Sequence, residues 1–156
     1  MSQVEIGKKV PNFSGPATSD IDFKFSDYKG SAILLYFYPR DNTPGCTQEG
    51  KDFRDNYAAF ESKGIKIFGL SRDSVRVHEG FKAKHEFPFD LIADKEETIC
   101  NLFDVIKEKK LYGKVHMGIE RSTFLINAKG VLVKEWRKVK VKEHIAQVLE
   151  AIETEL

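Results

Sequence analysis

Apolar residues fill both alternate sets of positions in Ala32-Ile33-Leu34-Leu35-Tyr36-Phe37-Tyr38, and Pro39 ends the run. A strand that is apolar on both sets is covered on both faces, so this one is expected at the centre of a sheet. Beyond it Cys46, Phe53, Tyr57 and Phe60 recur at spacings of seven, four and three, a helical stripe that stops near Lys63-Gly64. Ile65-Lys66-Ile67-Phe68-Gly69-Leu70 reads as the next strand. Strand, helix and strand in that order favour a parallel pair joined by a crossover. A second helix is expected over residues 74–86, a short strand at Phe89–Ala93 and a short helix from about Lys95 to Phe103.

Near the end, Ser122-Thr123-Phe124-Leu125-Ile126 and Val131-Leu132-Val133-Lys134-Glu135-Trp136 flank Asn127-Ala128-Lys129-Gly130, the signal of a hairpin. Ile145, Val148, Leu149 and Ile152 share one face of a closing amphipathic helix. At the other end, Val10, Phe13, Gly15-Pro16 and the alternating Ile21–Phe25 segment suggest short strands and turns leading to Tyr28-Lys29-Gly30. The expected class is α/β: a mixed central β-sheet flanked by helices, with an N-terminal β extension.

Composition narrows the function. The chain has 156 residues, room for one domain spanning 1–156, and neither repeats nor low-complexity linkers divide it. With 25 basic and 24 acidic side chains the formal charge is +1, too little to imply a dedicated nucleic-acid protein, whose affinity rests on accumulated phosphate neutralisation. The N-terminus lacks the apolar run of a signal peptide and no later stretch is long enough for a membrane span, so a cytoplasmic protein is expected. The two cysteines, 54 positions apart, form neither a disulfide framework nor a Cys-x-x-Cys pair.

Chemistry concentrates in Pro39-Arg40-Asp41-Asn42-Thr43-Pro44-Gly45-Cys46-Thr47-Gln48-Glu49, between the central strand and its helix. Ligands in open α/β sheets gather at such loops, at the carboxyl ends of strands. Thr43 suits an N-cap and Pro44 the first helical position, which puts Cys46 at the third. Unpaired first-turn amides and the helix dipole favour a thiolate there, pointing to an oriented cysteine nucleophile. The competing reading is a small buried hydrophobe at a helix start. Thr43 and Pro39 tip the balance, because they can supply a hydroxyl and a rigid wall around one small oxidant.

Pro39-x-x-x-Thr43-x-x-Cys46 resembles the active-site signature of the peroxiredoxins, and Thr43-Pro44-Gly45-Cys46-Thr47 is similar to the bacterioferritin comigratory protein, or PrxQ, branch. Gly118-Ile119-Glu120-Arg121-Ser122-Thr123-Phe124 is similar to the segment carrying that branch's active-site arginine. The resemblance runs from Val10-Pro11-Asn12-Phe13 to the closing helix. It implies a thioredoxin-like fold and a thiol peroxidase that reduces hydrogen peroxide and organic hydroperoxides without metal, haem or flavin. By the same resemblance Cys46 is the peroxidatic nucleophile, Thr43 donates its hydroxyl toward thiolate or peroxide, Arg121 supports developing charge, and Pro39 covers the sulfur. Glu49, one turn beyond Cys46, would orient Arg121, although a first-turn glutamate also simply complements the helix dipole. Outside the resemblance, an arginine at the start of a strand is most simply solvated.

The sequence departs from the branch in one respect. Its members commonly carry a resolving cysteine five residues after the nucleophile or in the helix after the second βαβ strand. Lys51 holds the first position, and no cysteine lies between Arg72 and Asp94. Cys100, in Thr98-Ile99-Cys100-Asn101-Leu102-Phe103, reads as an ordinary buried filler. A one-cysteine cycle is therefore expected, resolved by thioredoxin, glutaredoxin or glutathione in a protein that is a monomer or weak dimer. A thioredoxin-fold redox sensor or chaperone-like binder is the alternative from another class, and a disulfide oxidoreductase is disfavoured by the single cysteine at this helix start. His78, His85, His116 and His144 have no metal-binding spacing and are expected on the surface. The basic stripe Lys134–Lys142 is read as protection of a strand edge, and Lys107-Glu108-Lys109-Lys110 as a solvated loop leading through Leu111–Met117 toward Arg121.

Overall fold

A computed structural model describes residues 2–156. Two short antiparallel strands, β1 (Ser14–Pro16) and β2 (Asp22–Lys24), and a 3₁₀ turn at Phe25–Tyr28 precede the central strand β3 (Ala32–Phe37). Then follow α1 (Pro44–Asp55), α2 (Tyr57–Glu61), β4 (Ile65–Ser71), α3 (Val75–His85), β5 (Asp90–Ala93) and α4 (Thr98–Leu102). The chain closes with β6 (Ile106–Leu111), β7 (Lys114–Ile119), β8 (Ser122–Ile126), β9 (Leu132–Trp136) and α5 (Val141–Thr154). Five strands form a mixed sheet in the order β5-β4-β3-β8-β9, with β3 parallel to β4 and antiparallel to β8. The expected class is observed, including the N-terminal β extension.

The double coverage read from β3 is literal. Ile33, Leu35 and Phe37 face one core with Phe13, Phe23, Ile99, Cys100 and Phe103. Leu34, Tyr36 and Tyr38 face the other, with Cys46 and Phe53 of α1, Phe60 of α2, Phe81 of α3, and Val148 and Ile152 of α5. Alternation along one strand thus sends the two cysteines to opposite faces of the sheet.

Three expectations need correction. The stripe from Cys46 to Phe60 belongs to two helices, broken at Asn56 (φ −112°, ψ 13°), whose side-chain amide donates to the Asp52 carbonyl at 2.9 Å. Such local bonding competes with the helix ladder, and the apolar spacing continues across the break and hides it. The segment expected as a lysine-rich loop is the antiparallel ribbon β6–β7. Its turn residues Tyr112 (φ 52°) and Gly113 (φ 76°) both have positive φ, the conformation a tight two-residue hairpin turn requires. Finally, His78 and His144 are buried, 0% and 2% exposed, and only His116 is fully on the surface, with His85 half-buried.

Among the described residues no helix is long and apolar enough to cross a membrane.

Candidate active site

The register of β3 against β8 builds the site. Phe37 pairs with Ser122, so the loop leaving β3 and the residue preceding β8, Arg121, emerge side by side at the same end of the sheet. Thr43 precedes α1 with extended backbone and Pro44 is its first residue, so Cys46 is the third, as expected. The first helical backbone bond runs from the Thr47 amide to the Thr43 carbonyl at 2.9 Å. The amides of Gly45 and Cys46 precede it and have no partner among the described residues, leaving the positive end of the helix open beside the sulfur.

Arg121 reaches across this opening. Its Nη2 lies 3.4 Å from Cys46 Sγ and its Nη1 donates to Glu49 Oε1 at 2.6 Å. The guanidinium lies so close over Gly45 that a Cβ there would stand 3.3 Å from Nη2. Cys46 and Glu49, three apart on one helix face, therefore share one cation, and both are nearly inaccessible (2% and 1%). Burial would lower the Arg121 guanidinium, but Glu49 and the Cys46 sulfur outweigh it and raise it above its ordinary value. Burial pushes the Glu49 carboxyl up to about 7 against the pull of Arg121. Glu49 Oε2 and the nearby Tyr36 hydroxyl are buried without a hydrogen-bond partner among the described residues.

The remaining sequence candidates sit at the same opening with less engagement. Thr43 does not cap the helix with its side chain: Oγ1 donates to the Arg40 carbonyl at 3.0 Å, which fixes the loop. Pro39 is half-buried two residues beyond the end of β3. Asn42, just before Thr43, holds φ 66°, a left-handed conformation costing a non-glycine residue of order 1 kcal/mol and sustained only by its surroundings. Gly50 lies under the Phe87 ring, where a Cβ would overlap the ring carbons, so α1 seats against the segment after α3 with no side chain between them.

Several polar residues escaped the sequence reading. Asp41, 5% exposed, accepts from the Tyr38 hydroxyl at 2.6 Å and lies 2.6 Å from His78 Nδ1, while its backbone amide donates to Asp73 at 2.9 Å. Periodicity does carry a faint signal for His78: it stands three residues before the buried Phe81 on α3, on the helix face that turns inward. Asp41, Asp73 and His78 also form the one group of three ligand-type side chains close enough to hold a cation among the described residues, but Asp41 and His78 are bonded to each other and the Asp73 carboxylate accepts from the Asp41 backbone amide and the Ser71 hydroxyl. Lys109, on the ribbon, is held below the usual lysine value by burial first and by Arg121 next, with the Cys46 sulfur acting the other way.

Comparison with known proteins agrees with this architecture. The AhpC/TSA family model matches residues 6–135. The chain belongs to that family, and with its fold and relatives it is a peroxiredoxin, a thiol-dependent peroxidase. Peroxiredoxin Bcp of Bacillus subtilis is 51% identical over 149 residues, covering 96% of this chain and 95% of that protein. Peroxiredoxin Bcp of Xanthomonas campestris is 52% identical over 125 residues, covering 80% and 78%. Among solved structures, a cysteine-to-serine mutant of Xylella fastidiosa PrxQ superposes with a TM-score of 0.92 at 40% identity, covering 99% of this chain and 98% of that one. A 2-Cys peroxiredoxin from Plasmodium vivax, 22% identical, shares the fold with a TM-score of 0.76 over 96% of each chain.

Proposed function

We propose that the chain, acting as one domain over residues 1–156, reduces hydrogen peroxide and organic hydroperoxides through Cys46 in a one-cysteine cycle. The Cys46 thiolate attacks one peroxide oxygen; the S–O bond forms as the O–O bond breaks, and hydroxide or alkoxide leaves and takes a proton from water. The resulting sulfenic acid is attacked by an external thiol, which expels water and leaves a mixed disulfide. A second thiol then frees Cys46 and carries the disulfide away. Thioredoxin, glutaredoxin or glutathione supplies those thiols.

The observation that carries this reading is the single guanidinium bonded to both Glu49 and the Cys46 sulfur. Glu49 holds Arg121 in place before substrate arrives, so the cation stabilises the thiolate and the charge growing on the leaving oxygen without reorganising. The open Cys46 amide adds a second donor, and Thr43 turns its hydroxyl from the Arg40 carbonyl toward bound peroxide. Pro39 closes the side of the loop. A cycle without an internal resolving thiol is supported by the placement of Cys46 and Cys100 in different cores. The reading extends to a cytoplasmic monomer or weak dimer.

Steady-state peroxide consumption with each of the three donors, joined to mass spectrometry after one equivalent of peroxide, tests the proposal. A sulfenic-acid label on Cys46 and a donor-dependent rate are expected. A Cys46–Cys100 disulfide would overturn the one-cysteine cycle, and a label on any other residue would overturn the nucleophile.

A further inference from the structure

The loop between β3 and α1 is held by side chains that never reach the sulfur. Tyr38-Pro39-Arg40-Asp41-Asn42-Thr43 places a carboxylate between two residues of the site and immediately before the left-handed Asn42. An aspartate in an exposed loop would turn to water. Asp41 instead turns inward and bonds three elements. Its Oδ1 accepts from Tyr38 just past the end of β3, its Oδ2 meets His78 on α3, and its amide donates to Asp73 beyond β4. Asp73 is itself held by the Ser71 hydroxyl. His78, fully buried, places its second nitrogen 3.0 Å from the Ile92 carbonyl of β5.

Hydrogen-bond stoichiometry fixes what this pair contains. The Ile92 carbonyl can only accept, so His78 Nε2 carries a proton. The 2.6 Å bond between Nδ1 and Asp41 needs another, whichever partner holds it. The pair is neutral as a unit, which is why it can be buried without a counterion, and removing either member leaves the other unpaired in the core. It forms a brace from the loop of Thr43 and Cys46 to α3 and β5, on the side of the loop away from Arg121's strand.

We infer that His78 and Asp41 are positioning residues that latch closed the loop leading into Cys46, and that this buried pair sets how readily the site opens to the external thiol. The inference rests on the peroxidase reading above. A nucleophile buried to 2% exposure can meet a small peroxide in place, but a protein or tripeptide thiol has to reach the sulfur, so one cycle needs the loop both closed and open. The latch sets the balance between these states. Weakening it then has opposite effects on the two halves of the cycle: oxidation slows because the first turn of α1 and Arg121 lose register, and reduction quickens because the open state is more populated.

The test uses the full chain as wild type, His78→Gln and Tyr38→Phe. Tyr38→Phe keeps the ring and removes one hydroxyl bond to Asp41, so it reports even where His78→Gln fails to fold. Stopped-flow oxidation by hydrogen peroxide, reduction of the Cys46 sulfenic acid by glutathione and amide exchange over residues 45–49 are measured for each. Oxidation is expected to fall about tenfold in His78→Gln and about threefold in Tyr38→Phe, the scale of a small misplacement of reacting groups. Reduction is expected to rise, exchange to quicken in the first turn of α1, and more peroxide to be needed for irreversible oxidation of Cys46. Unchanged rates in both steps, or a parallel fall in both, would overturn the latch. A wild-type chain whose Cys46 is not oxidised would instead overturn the catalytic reading on which it stands.

Discussion

Cys46 and Cys100 begin from the same local position. Each is the third residue of a helix, each is buried (2% and 0% exposed), and each packs against the central sheet. What differs is the charge that occupies the helix start. At α4 the amides of Ile99 and Cys100 donate to the two oxygens of Asp94, at 3.1 and 2.7 Å. That carboxylate consumes the positive end of the helix and, after burial itself, is the main reason the Cys100 thiol is pushed far above its ordinary value. At α1 the corresponding amides are open and the neighbouring charge is Arg121. A helix N-terminus therefore does not by itself activate a thiol; the group that answers it decides whether a thiolate is welcome.

The contrast can be broken by exchange. Cys46→Ser is expected to abolish peroxide consumption in a donor-coupled assay, whereas Cys100→Ala leaves it within a factor of about two, and loss of turnover in both would erase the distinction. Next in size, Arg121→Gln is expected to lower kcat/KM for peroxide by about a hundredfold to a thousandfold, the usual consequence of removing one preorganised donor. A rate within a few-fold of wild type would show that the helix start suffices alone.

Stability sharpens the comparison on the Cys46 face. His144 there accepts or donates through Nε2 to Thr123 at 2.7 Å, and burial lowers it from 6.5 to about 4. Below pH 6.5 the unfolded chain therefore takes up a proton that the folded chain refuses, and this cost grows until about pH 4. By roughly pH 5 it amounts to about 2 kcal/mol. Glu49, raised to about 7, acts oppositely: its stabilising difference is present below its unfolded value and is lost as pH rises toward 7. Urea unfolding of wild type against His144→Gln isolates the histidine, whose removal should flatten the acid side of the difference between them. The smallest effect belongs to the other core, where Cys100→Ala should cost about 1 kcal/mol at neutral pH, the loss of one buried heavy atom.

How much of this was legible in the chain depends on distance and on the kind of bond. The placement of Cys46 follows from contiguous residues, since Thr43-Pro44 specify the start of a helix. Arg121 stands 75 positions away, and only the resemblance of its segment marked it; the backbone register of β3 against β8 brings it home. Asp41 and His78 were invisible as partners because periodicity measures apolar faces, while a buried polar pair satisfies itself across elements. The β6–β7 ribbon was hidden for the converse reason: Lys107, Lys109 and Lys110 show no alternation, and its strands are specified by cross-strand backbone bonds and a turn at Tyr112-Gly113. That ribbon carries Leu111, Tyr112, Val115 and Met117, each more than half exposed, so apolarity without burial misdirects the same method.

Under the proposed one-cysteine cycle, the sheet standing between the two sulfurs would also set the kinetic order. A thiol tethered on the same face would act on the oxidised cysteine at an effective concentration of order millimolar, whatever surrounds the protein. With the only other thiol of the described residues in the opposite core, the proposed reduction by an external donor would be second order. On that reading the fraction of chains resting as sulfenic acid would measure the ratio of oxidant to donor around them, and the molecule would read its surroundings as it consumes peroxide.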